Sequence, residues 1–294
     1  VFVTEGEGVS EGIGDLPIVR VVSVDQLSDL LSPLIDLGLK SVLLFGKVAP
    51  EKKSTDGAHA LDRNGVVPNA IRALRAAFPD LVVMTDIALD PYTTHGHDGL
   101  GEGGEVVNDA TNDVLARMSL VHAEAGAHFV APSDMMDGRV GAIRNHLDKN
   151  SYDHVGIMSY TAKYASCLYG PFRSILDSAP SAGDKKSYQM DPANVREAER
   201  ELRLDLEEGA DIVLVKPAMW YLDVVSRLSV LTDRPLAAYH TSGEASMVIR
   251  AAEAGALDLR TAVLESTTAI KRAGADIIIT YFAPDLLAWM KEDA

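Results

Sequence analysis

Eight short apolar runs recur along the chain with amphipathic stretches between them, and this alternation limits the fold more than any other feature. The runs lie at residues 2–3, 41–45, 82–86, 128–131, 155–159, 212–216, 236–240 and 276–281. Being apolar on both faces, they predict strands of a parallel sheet covered by helices. Helical stretches are predicted at 25–37, 69–77, 109–125, 194–208, 246–254 and 260–273. Gly38, Gly126, Gly209 and Gly274 each follow a helical stretch and fit C-terminal caps. Eight such units close into a barrel, for which roughly 250 residues is usual. The alternative is an open doubly wound sheet, which normally carries a glycine-rich phosphate turn after its first strand. Phe45-Gly46-Lys47 is not one. No linker rich in Pro, Gly or Ser divides the chain. The expectation is therefore an α/β protein, a single (β/α)8 TIM barrel domain over residues 1–294. Its first strand is expected to be clipped at the N-terminus, with an N-terminal arm absent from this chain.

Composition narrows the function classes. A net charge of −16 argues against general nucleic-acid binding, which needs a basic footprint. It leaves an anionic small substrate open, because local cations set the field inside a pocket. The longest apolar runs are too short to span a bilayer, so no membrane partner is expected. With Cys167 as its single cysteine, the chain cannot form an intrachain disulfide or a zinc site of several thiolates. Cys167 itself is expected to be a small buried side chain. No secretory signal is visible, and a cytoplasmic location is expected, or the plastid stroma if the source is a photosynthetic eukaryote.

Two long connections stand out, since most loops in compact domains are far shorter. One spans residues 88–108 and carries Asp90, His95, His97 and Asp98; the other spans 169–192 and carries Arg173, Lys185, Lys186 and Gln189. Both follow strand ends on the face where barrel active sites are built. The second is read as a lid with basic residues that closes over an anionic ligand.

Lysine at the end of a buried strand is unusual, because lysine is rarely buried unless paired. Lys216 closes the run at 212–216, and Lys163 lies just beyond the preceding run. Taken singly, either is as readily a side chain that snorkels to solvent. As a pair on consecutive strands they can reach one pocket, where like charge and desolvation free one amine as a Schiff-base nucleophile. A class I aldolase on the same fold, needing one such lysine, remains open on this ground alone, as does a binding protein on an inactive barrel.

Six segments carry a resemblance: residues 86–99 (DIALDPYTTHGHDG), 131–139 (APSDMMDGR), 157–166 (IMSYTAKYAS), 215–217 (VKP), 242–244 (SGE) and 271–281 (KRAGADIIITY). In order and spacing they resemble the porphobilinogen synthase (5-aminolevulinate dehydratase) family over essentially the whole chain. The resemblance implies a lyase of tetrapyrrole and heme biosynthesis that joins two 5-aminolevulinate molecules with loss of two waters. It implies that Lys216 forms a Schiff base with the first substrate and Lys163 with the second. Ser242 and Tyr281 are then expected on the first carboxylate, and Arg173, Lys185 and Gln189 on the second. Ser133 lines the pocket, and Asp86 handles protons. Assembly as a homo-oligomer, an octamer, is also implied.

The family's zinc-dependent members place three cysteines where this chain has Ala88, Asp90 and Asp98. Without a soft thiolate set no catalytic zinc is expected, and Asp90 and Asp98 are expected to position protons or the second substrate's amino group. The resemblance further implies an allosteric Mg2+ held by Glu201.

Overall fold

The computed structural model describes residues 1–14, 16–102 and 105–292. Strand β1 (Phe2–Thr4) precedes an antiparallel pair, β2 (Ser10–Ile13) and β3 (Leu16–Ser23). Then follow α1 (Leu27–Asp36), β4 (Ser41–Lys47), α2 (Val66–Ala77), β5 (Val82–Ile87), a small hairpin of β6 (Gly101–Glu102) and β7 (Glu105–Val106), and α3 (Asn108–Ala125). The chain continues through β8 (Phe129–Pro132), α4 (Arg139–Lys149), β9 (Gly156–Lys163), α5 (Gly170–Leu176), α6 (Arg196–Glu208) and β10 (Ile212–Lys216). It ends with α7 (Leu222–Ser229), β11 (Leu236–His240), α8 (Ser242–Glu253), α9 (Leu259–Arg272), β12 (Ile277–Thr280) and α10 (Ala283–Glu292).

Each of the eight apolar runs is a strand, and these pair in the order β1-β4-β5-β8-β9-β10-β11-β12 with every neighbour parallel. This is the TIM-barrel succession. The hairpin β2–β3 adds to the outer edge of β1, with β3 parallel to it. Phe2 of β1 stacks on Tyr281, the residue after β12, with ring centroids 6.3 Å apart, which brings the two ends of this succession near each other. Helices stop where expected: Gly126 and Gly209 sit at φ 104° and 103°, conformations only glycine adopts without a Cβ clash.

Side chains divide into two packed layers. Phe2, Phe45, Met84, Met158, Tyr160, Leu214 and Tyr239 fill the barrel interior. Val42, Val83, Val130, Ile157, Val213 and Val215 instead face the helices. Each such side chain contributes about 1.5–3 kcal/mol by leaving water, which is why runs apolar on both faces become central strands.

Three features depart from the sequence reading. The hairpin β2–β3 was not anticipated: β2 lies exposed and carries no apolar period, and β3, though apolar and largely buried, was not read as a strand. Helices α4, α5, α7 and α10 were also missed. The shortest, α5, lies inside the presumed loop 169–192, where Pro171 starts it and only Ile175 and Leu176 are buried. Cys167 is exposed rather than buried, since it opens a short turn of 3-10 helix whose other members, Leu168 and Tyr169, take the interior.

Candidate active site

The two lysines meet because of an irregularity in β9. Val213 of β10 pairs with Ser159, yet Val215 pairs with Ala162 and Lys216 with Lys163, so β9 holds one extra residue across this step. Such a bulge changes which face the following side chains occupy. Here it turns Lys163 toward the interior beside Lys216. Both are almost completely buried.

Their surroundings differ. The Lys216 ammonium position is caged by rings, with centroids of Tyr239 at 4.4 Å, Phe172 at 4.8 Å, Tyr160 at 5.2 Å and Tyr169 at 5.3 Å. Burial, and after it the charge of Lys163, bring its pKa down from 10.5 to about 7. Lys216 is therefore substantially a free amine at neutral pH. Lys163 instead has a carboxylate partner, with Nζ 3.3 Å from Asp98 Oδ2, and it donates a short hydrogen bond to the Ser133 carbonyl.

Asp98 is shared. Its other oxygen lies 2.6 Å from Lys185 Nζ, and Lys185 also reaches Asp90 Oδ2 at 3.2 Å. Although burial opposes ionisation, the ammoniums of Lys163 and Lys185 hold the Asp98 carboxyl down at about 2. Asp86 behaves oppositely: burial, then the charge of Asp90, push it up to about 7. A carboxyl and an amine that both titrate near neutrality thus share one pocket, the arrangement acid–base chemistry requires.

The cavity is lined by Asp86, Asp90, Ser133, Lys163, Tyr169, Phe172, Arg173, Lys185, Gln189 and Lys216. Eight of these were expected from sequence. Asp98 contacts two of them, and Ser242 accepts a hydrogen bond from the Phe172 amide at 3.0 Å. The Tyr281 hydroxyl lies 3.1 Å from that of Tyr239, one layer beyond Lys216. Glu201 stands apart on α6, where half-burial, then the charge of Asp205, push its carboxyl up to about 7. Gln189 Oε1 is buried without a hydrogen-bond partner among the described residues. Buried polar atoms rarely stay so, and this one is available to a ligand.

The lid is seated. His97 Nδ1 lies 3.0 Å from the Tyr188 hydroxyl and Nε2 3.1 Å from the Ala182 carbonyl. The Ser181 amide donates to the His95 carbonyl, and Lys53 donates to the carbonyls of Leu176 and Asp177. The histidines thus tie the two long connections together, and no group of three metal-ligating side chains occurs among the described residues. The space left in the cavity is about 20 Å³, on the order of one water.

Sequence reasoning missed the aromatic cage and Arg139. Nothing in the local sequence around Tyr160, Tyr169, Phe172 or Tyr239 marks them, and only their convergence on Lys216 reveals the cage. Arg139, 2% exposed, lies 3.7 Å from Asp134 and from Asp205 and donates to Ser159 Oγ and the Tyr160 carbonyl. It anchors the loop of Ser133, in which Met135 holds a φ of 70°. A charged residue in a segment otherwise destined for the interior was the available signal.

Residues 1–289 match the family described as delta-aminolevulinic acid dehydratase. A chloroplastic delta-aminolevulinic acid dehydratase from Physcomitrium patens is 52% identical over 292 residues, covering 99% of this chain and 67% of that protein. The Halalkalibacterium halodurans enzyme of the same name is 46% identical over 293 residues, 100% of this chain and 89% of the relative. A crystal structure of the Toxoplasma gondii protein, titled delta-aminolevulinic acid dehydratase (porphobilinogen synthase) in complex with the reaction product porphobilinogen, superposes with a TM-score of 0.98. It is 44% identical, covering all of this chain and 84% of the other.

Proposed function

The chain belongs to the delta-aminolevulinic acid dehydratase family, and on that premise we propose that it works through paired Schiff bases on Lys216 and Lys163. The family's activity is its own: it is a lyase of porphyrin and heme biosynthesis that condenses two 5-aminolevulinates to porphobilinogen. The register of Lys216 against Lys163 at adjacent strand ends is the observation that carries the two-lysine mechanism.

Lys216, a free amine near neutral pH, attacks the keto carbon of the first substrate. A C–N bond forms, the carbonyl oxygen leaves as water, and the resulting iminium acidifies the neighbouring C–H. Lys163 takes the second substrate in the same way. Carbon–carbon and carbon–nitrogen bond formation then closes the ring, both lysines are released, and two waters are lost overall. Holding both partners covalently makes the condensation effectively intramolecular, which contributes on the order of 7–11 kcal/mol. Asp86, titrating near 7, suits the proton transfers, with Asp90 and Asp98 orienting the second amino group beside Ser133.

The first carboxylate meets Ser242 at the N-terminus of α8 together with Tyr281. The second meets Arg173, Gln189 and the remaining N–H of Lys185, whose other two donors face Asp90 and Asp98. Glu201 is the one side chain proposed for the allosteric Mg2+. A half-buried carboxyl with a raised pKa beside further acids fits a cation that keeps most of its waters and takes one protein carboxylate. The metal would stabilise α6 electrostatically. Assembly as an octamer and a cytoplasmic or stromal location complete the reading. Exposed Trp220, Val230 and Leu231 offer apolar surface to subunit contacts, and no described helix is long and apolar enough to cross a membrane.

The test is to incubate the protein with 5-aminolevulinate, reduce with borohydride and map the adducts by mass spectrometry, assaying the pyrrole in parallel. Adducts on Lys216 and Lys163 are expected. Pyrrole formation with no adduct at either lysine would sink the two-lysine mechanism.

A further inference from the structure

A β-bulge between parallel strands is rare and interrupts the ladder, and buried backbone groups need partners, so the bulge in β9 calls for support from outside the sheet. Pairing with β10 passes from Ser159 to Ala162, and pairing with β8 ends at Ile157. Tyr160 and Thr161 therefore stand without a partner in the strand register, and both are fully buried. The support is Arg139, the first residue of α4 and 2% exposed. Its Nη2 donates to the Tyr160 carbonyl and to Ser159 Oγ, each at 3.1 Å. Its Nη1 donates at 3.2 Å to the Met136 carbonyl, in the loop whose Ser133 carbonyl accepts the short hydrogen bond from Lys163. We propose that Arg139 is a positioning residue for Lys163: one guanidinium ties the bulge of β9 to the loop after β8 and so fixes where the Lys163 amine stands. This rests on Lys163 being a Schiff-base lysine.

The guanidinium is itself held from two sides. Asp134 lies 3.7 Å from its Nε, and Asp205 of α6 lies 3.7 Å from its Nη1. Ser159 Oγ extends the contact by donating to Asp205 Oδ2 at 2.7 Å. Pairing resumes straight after the bulge, where the Tyr164 amide donates to the Lys216 carbonyl at 3.0 Å. The direction of Lys163 is thus set at Tyr160 and Thr161, since one residue more or fewer there moves the following side chains to the other face. The Tyr160 ring lies 5.2 Å from the Lys216 nitrogen and 6.0 Å from that of Lys163. The bulge therefore places a wall of the aromatic cage as well as an amine. Arg139 lies outside the cavity lining and acts through these neighbours. Its geometry is what suits it: a planar guanidinium donates in several fixed directions at once, whereas lysine is a point charge on a flexible stem. Lysine at this position keeps a charge between Asp134 and Asp205 and does not reproduce the fork.

The experiment compares wild type with Arg139→Lys by amide hydrogen exchange over residues 159–164 and by borohydride trapping with 5-aminolevulinate, quantified separately at Lys163 and Lys216. In Arg139→Lys, exchange across 159–164 is expected to rise about tenfold relative to the other barrel strands. The ratio of Lys163 to Lys216 adduct is expected to fall about tenfold, the scale of a sub-ångström misplacement, with kcat falling in step and KM little changed. An arginine that only stabilises the fold would lower both adducts in proportion, so an unchanged ratio overturns the inference whether or not exchange rises. Pyrrole formation with no Lys163 adduct in the wild type fails the two-lysine reading, and the inference falls with it; the wild-type sample alone distinguishes that case. Should Arg139→Lys not fold, Ser159→Ala carries the same test, since it removes one arm of the fork and keeps both ion pairs. There the adduct ratio is expected to fall about threefold, as for the loss of one hydrogen bond, and an unchanged ratio again overturns the inference.

Discussion

Replacing Lys216 with methionine is expected to abolish turnover and at the same time stabilise the fold. The amine is buried among four rings, and its pKa falls from 10.5 in the unfolded chain to about 7 in the folded one. Between those values the unfolded chain binds the proton and the native state does not. Wild-type stability therefore rises with pH from about 7 to 10.5, and the penalty is constant below 7 and absent above 10.5. At 1.36 kcal/mol per pH unit the full penalty is on the order of 3–5 kcal/mol. Methionine has no proton to lose and suits an aromatic cage. Urea unfolding at pH 7 and pH 9.5, at matched protein concentration, measures it. The variant is expected to be several kcal/mol more stable at pH 7 and only about 1 kcal/mol more stable at pH 9.5. An equal difference at the two pH values, or a destabilised variant, would refute the argument that desolvation depresses Lys216.

Other substitutions probe the supports of the site. Arg139→Met leaves Asp134 and Asp205 buried without their cation and is expected to cost about 3–5 kcal/mol in urea unfolding; Arg139→Lys should recover part of this. Gly96→Ala puts a Cβ against the Ala179 backbone at a φ of 72°, so limited proteolysis should cut the lid faster while global stability changes little. Arg173→Ala, removing a cation over the Tyr169 ring at the cavity edge, is expected to raise KM for 5-aminolevulinate roughly tenfold to a hundredfold, about 1.5–3 kcal/mol for a charged hydrogen bond, and steady-state kinetics report it. Chelation followed by Mg2+ addition should change the rate of wild type but not of Glu201→Gln, and equal responses would remove Glu201 from the metal.

Much of the barrel was legible. Strand positions follow from apolar runs that only a sheet covered on both faces can bury, and helix ends follow from glycines such as Gly126 and Gly209. The short helices α5 and α7 were not legible, since seven or eight residues give a periodic pattern too little length to stand out. Strand β2 escaped because an edge strand facing water carries no burial pattern, whereas the apolar run of β3 was legible and went unread as a strand.

The same division runs through the site. The sequence by itself determined which groups were available: lysines closing two consecutive strands, acids in the loop after β5, and cations in the loop after β9. Those assignments depend on neighbours along the chain, and local periodicity encodes them. Tertiary structure alone decided how the groups are used. The extra residue in β9 turns Lys163 inward, four rings from separate elements strip Lys216 of solvent, and Asp98 is divided between a strand and a lid 65 and 87 residues away. Register, desolvation and shared counter-ions are properties of side chains brought together from distant positions, so no local pattern carries them.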